Sequence, residues 1–65
     1  MREVTITEFY QVINPQDSVV SSELIRDESG RAIGAESTFK LRTGGVLGIS
    51  RDIFQVEKTY FLKGV

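Results

Sequence analysis

The chain has 65 residues, a net charge of −1, and neither histidine nor cysteine. The missing imidazole and thiol remove the groups behind most acid–base, redox, zinc and disulfide chemistry. A single domain over residues 1–65 is all this length supports, and 40% hydrophobic with 26% charged residues is the composition of a folded protein, not a disordered one.

Residues 2–13 are rich in β-branched and aromatic side chains, and Val4 and Ile6 alternate with Thr5 and Thr7. That period of two predicts a half-buried strand. Beyond Glu8 both faces turn apolar, Tyr10 and Val12 continuing one set while Phe9 and Ile13 form a second. A bulge that flips the register, or cover on both faces, is the expected cause.

Asn14-Pro15-Gln16-Asp17 is a turn signal. It also fits a short helix over 15–29, with Asn14 as N-cap, Pro15 in the first turn and Gly30 closing the end. Val19-Val20-Ser21-Ser22 is poor helix material, so a strand over 18–26 is the preferred reading. Asp27-Glu28-Ser29-Gly30 then makes a tight hairpin turn.

The clearest segment follows. Ile33, Ala35, Ser37, Phe39 and Leu41 fall on one face of a strand, with Gly34, Glu36, Thr38, Lys40 and Arg42 on the other. Thr43-Gly44-Gly45 turns the chain into a short strand over 46–50. From Ile53 to Leu62, Phe54, Val56, Tyr60 and Leu62 alternate with polar residues until Phe61 breaks the polar face. The expected fold is all-β: a five-stranded antiparallel meander or small barrel of SH3 or OB size.

A core this small is marginal, and the usual staples of disulfide or zinc are excluded, so self-association gains weight. Residues 1–33 hold six acids against three arginines, and residues 34–65 hold three acids against five bases. Such halves complement one another between copies or pair inside the fold, the second being favoured. No stretch reaches the ~18 apolar residues of a membrane span. The first residues lack the apolar run of a secretory signal, which points to the cytoplasm.

Phe9, Ile13 and Phe61 oppose the cleanest apolar set of their strands, which makes them candidates for a subunit or partner interface. Lys40, Arg42, Thr43, Gly44, Gly45 and Arg51 form the one stretch resembling an anion site, with Tyr10 or Tyr60 available to stack on a base. That stretch lacks both the P-loop ending and the dinucleotide fingerprint, and a hairpin turn alone explains its glycines. No acid spacing matches a calcium loop, and the six serines and five threonines have no histidine to activate them. Neither a catalytic site, a metal site nor a cofactor is expected.

The first functional reading is therefore a non-catalytic interaction protein acting as a homo-oligomer, or capping a host protein as small phage and mobile-element inhibitors do. The second is an oligomeric binder that sequesters a small anionic ligand such as a nucleotide. The third, a single-stranded nucleic-acid-binding barrel, is disfavoured because the pI is near 5.3 and no basic stripe is present.

Overall fold

Thr5 and Glu8 decide how the chain begins. In the computed structural model, which describes residues 1–64, the Thr5 hydroxyl accepts a hydrogen bond from the Glu8 N–H at 3.1 Å. The Glu8 carboxylate in turn accepts from the Thr5 N–H at 3.4 Å. This reciprocal capping box satisfies two backbone donors and starts a helix. Strand β1 (Arg2–Val4) therefore stops after three residues and helix α1 (Ile6–Val12) follows.

The expected strand over 2–13 is thus corrected to a strand and a helix. Ile6, Phe9, Tyr10 and Ile13 recur at i, i+3, i+4 and i+7, which is helical periodicity. Burial of Phe9 and Ile13 at 0% exposure outweighs the local β preference of the threonines and isoleucines. Pro15 disfavours a helical Asn14, and α1 ends before it.

Pro15–Asp17 makes a single 3₁₀ turn capped by the Asn14 side chain, which accepts from the Gln16 N–H at 3.0 Å. No longer helix forms over 15–29. Four strands follow: β2 (Ser18–Arg26), β3 (Ala32–Leu41), β4 (Leu47–Ile53) and β5 (Glu57–Lys63). Gly30, Gly44 and Gly45 occupy the two expected turns with φ of 88°, 82° and 82°. The last hairpin differs from expectation. β4 runs on to Ile53, and the chain turns at Phe54–Val56 with Gln55 at φ 64°. Phe54 and Val56 are consequently turn residues, 45% and 74% exposed, not members of a strand's apolar face.

All five strands form one antiparallel sheet in the order β1-β5-β4-β3-β2. β1 and β2 are its two edges, so the all-β meander is open and not closed into a barrel. Residues 5–17 carry the chain from one edge to the other across one face.

α1 lies on that face at the end near the 42–45 turn. Phe9 and Ile13 pack there with Val4, Tyr60 and Leu62, bordered by Val12, Phe39, Leu41 and Val46. Gly48 makes the approach: a methyl group on it would sit 2.8 Å from both Phe9 and Ile13. Among the described residues α1 and the 3₁₀ turn are the elements off the sheet, and beyond this packed end both faces of the sheet run on uncovered by them.

The shape follows. The molecule measures 39 × 20 × 19 Å with a radius of gyration of 12.4 Å, against about 11 Å for a compact 65-residue domain. Its accessible surface is 4699 Å², where a compact monomer of this mass exposes about 4,200 Å².

Candidate interaction surface

The face opposite α1 carries the odd-numbered residues of β4 and β5 and the even-numbered residues of β3. Register places Phe61 beside Ile49 and Thr38 in one cross-strand row, and Lys63, Leu47, Lys40 and Val19 in another. A third row holds Thr59, Arg51, Glu36 and Glu23, and a fourth Glu57, Ile53, Gly34 and Ile25. Apolar and charged side chains are therefore mixed along a face that no other element among the described residues covers.

Arg51 is fixed at its centre. Its Nε and Nη2 both donate to Oε2 of Glu36, at 2.9 and 2.8 Å, and its guanidinium carbon stands 5.9 Å from the centroid of the Phe61 ring. Charge-assisted hydrogen bonds hold the planar group within cation–π range of the aromatic ring. Phe61 is half-buried, with Ile49 beside it on β4 and Glu3 on β1.

The other two interface candidates go elsewhere. Phe9 and Ile13 are the largest fully buried side chains of the chain and present nothing to a partner. They are core, because the helix turns them onto the sheet.

The anion-site candidates are also dispersed. Lys40 and Gly45 line a recess of about 320 Å³ together with Val46, Leu47, Lys63 and Gly64. Lys63 was not among the candidates: only the β4–β5 register, which sets it against Leu47, shows that it belongs there. Arg51 is four residues from Leu47 along β4, about 13 Å away, and is engaged by Glu36. Arg42 sits in the turn, where its N–H donates to the Asp17 carbonyl at 2.9 Å. The Gly44 N–H donates to Leu41 at 2.9 Å and so points into the turn. Thr43 and Gly44 are exposed in the same turn and do not line the recess.

Tyr10 and Tyr60 do come together, with ring centroids 6.1 Å apart and Phe9 about 5 Å from each. They belong to the helix-covered face, so the sheet separates them from Lys40 and Arg51. Tyr60 is 8% exposed and serves the core.

Among the described residues the ion pairs are Arg51–Glu36 and Arg2–Glu8. Each lies within one half of the chain, so the acidic and basic halves are not joined to each other by salt bridges. Among the same residues no group of three carboxylates stands together as a metal site. No helix among the described residues is long and apolar enough to cross a membrane. No protein family, curated protein or solved structure matches the chain.

Proposed function

We propose that this is a non-catalytic interaction protein that works as a homo-oligomer, further copies covering apolar residues that one chain leaves exposed. One observation carries the proposal. Five apolar residues are buried, whereas nine large hydrophobic residues are exposed, among them Val19, Val20, Leu24, Phe54 and Val56. Burying one such side chain contributes about 1.5–3 kcal/mol, so a few of them rival the stability of so small a domain.

In this reading the protein acts in the cytoplasm. A host factor that meets the same residues in place of a second copy would be inhibited by it, as a phage-type inhibitor inhibits its target. Association of native chains makes stability concentration-dependent. The test is the thermal midpoint across a hundredfold dilution: a fall on dilution supports the proposal, and a constant midpoint contradicts it.

A second reading draws on the recess beside Leu47. Lys40 and Lys63 stand two strand spacings apart, about 10 Å, across a floor of Val46 and Leu47. Two ammonium groups over an apolar floor suit a small anion such as a nucleotide. Inorganic pyrophosphate that raises the midpoint of the wild type but not of Lys40→Ala supports this reading; no shift in either chain rejects it.

A further inference from the structure

The two edges of the sheet are built differently. β1 has three residues, two of them charged, which is a protected edge. β2 has nine, Ser18-Val19-Val20-Ser21-Ser22-Glu23-Leu24-Ile25-Arg26, with neither proline nor lysine. Seven of those nine residues besides Ser18 and Ile25 are exposed, and the one irregularity falls between Ile25 and Arg26. A long, apolar, unguarded edge is a template for another strand.

We infer that β2 pairs antiparallel with β2 of a second copy about a two-fold axis at Ser22, fusing two sheets into one of ten strands. This rests on the homo-oligomer reading and names its partner and surface.

Hydrogen-bond phase is the first argument. The Arg42 N–H donates to the Asp17 carbonyl, one position before the Ser18–Leu41 pair. Bonding alternates along an antiparallel ladder, so Val19, Ser21, Glu23 and Ile25 direct their backbone groups toward β3. On the other side of β3, the Leu41 N–H donates to Val46 and the Phe54 N–H to Ile33. Odd residues of β3 therefore bond β4 and even ones bond β2, which gives the same phase. Val20, Ser22 and Leu24 thus turn their N–H and C=O groups outward. A second strand must meet them with its own even-numbered residues.

Side-chain pattern is the second argument, and it selects one register. With the axis at Ser22, Val20 faces the second copy's Leu24, and Val19 faces its Ile25. Ser21 faces Glu23, and Ser22 faces itself. Apolar meets apolar on both faces of the sheet, and no two like charges meet. An axis one residue earlier, at Ser21, sets Val19 against Glu23 and Val20 against Ser22. An axis at Glu23 sets two carboxylates face to face, which is destabilising. An axis between residues violates the hydrogen-bond phase and turns apolar side chains to opposite faces. The segment is a palindrome in polarity, as a self-complementary two-fold interface requires.

Sedimentation velocity on paired variants tests this. Of the registers with the axis at residue 21, 22 or 23, Val20→Lys with Leu24→Lys places its two new charges opposite each other only in this one. Val20→Glu with Leu24→Lys places opposite charges there. Within one chain the two positions are four residues apart, about 13 Å, so neither pair interacts internally. The wild type and the Glu/Lys variant are expected to sediment as dimers or multiples of them, and the Lys/Lys variant to lose that association. Ser22→Pro, which removes an outward N–H and spares the bonds to β3, is expected to lose it too while keeping the β-sheet circular-dichroism spectrum. Association that survives in both Lys/Lys and Ser22→Pro overturns the edge pairing and leaves the oligomer reading standing. A dissociated Glu/Lys variant overturns the register. A monomeric wild type overturns both readings.

Discussion

The ring of Phe9, on α1, rests against the bare α-carbon of Gly48, on β4, and a methyl group at Gly48 would approach it to 2.8 Å. Helix and sheet are in contact at this point because one residue has no side chain. Ile13 presses on the same spot from the end of the helix.

Gly48→Ala is therefore expected to push α1 off the sheet, at the cost of about 1–3 kcal/mol typical of overpacking. Urea denaturation should show a lowered midpoint. An unchanged midpoint would mean that the helix is not seated as described.

Phe9 and Phe61 should behave as opposites. Phe9→Ala opens a cavity in the buried cluster under α1 and is expected to cost about 3–5 kcal/mol. Most of the stability of a 65-residue domain, about 3–10 kcal/mol, is then lost. Phe61→Ser changes a half-exposed ring on the uncovered face. Being three strands from the β2 edge, about 14 Å, it should leave both the circular-dichroism spectrum and the association through that edge intact, read by size-exclusion chromatography with light scattering.

Arg51 compensates one of two acids that face each other. Glu36 accepts its guanidinium, and Glu23 lies directly across the β2–β3 ladder from Glu36. Exposed pairs are weak, so a double-mutant cycle of Arg51→Ala and Glu36→Ala should give a coupling of about 0.5–1 kcal/mol. High salt should reduce it.

Asp27 carries the acid sensitivity of the β2–β3 turn. Its carboxylate accepts from the Ser29 hydroxyl at 2.6 Å and from the N–H groups of Arg31 and Ser29 at 3.0 and 2.9 Å. These bonds, that of the Ser29 hydroxyl foremost, hold its pKa below the ordinary value of 3.8. A lowered folded-state pKa means stabilisation that is complete above 3.8 and lost as the pH falls through the folded value. Ser29 and Arg31 should therefore lose protection against amide exchange, relative to the intrinsic rate, in that acid range, and Asp27→Asn should abolish the pH step.

Much of the sheet was legible in the chain. Alternation over 33–41 and the glycines at 30, 44 and 45 marked β3 and its turns because strand pleat and positive φ are local requirements. The helix was missed although both its signals were present. Thr5-x-x-Glu8 is a capping box, and Ile6, Phe9, Tyr10 and Ile13 follow the helical period. They were masked by the β-branched residues among them. The turn at Gln55 carries no glycine, asparagine or proline, so nothing in its composition announces a positive φ. Phe61 was identified as facing away from the core because Tyr60 and Leu62 on either side face it. Lys63 joined Lys40 only through a register between strands, which no local pattern encodes.

The central claim, that copies of this chain complete one another's sheets, is tested most directly by native mass spectrometry of protein purified gently from its expression host. The account predicts multiples of the 7.3 kDa chain as the dominant species. Bare 7.3 kDa monomer across the concentrations at which the protein stays folded would contradict it.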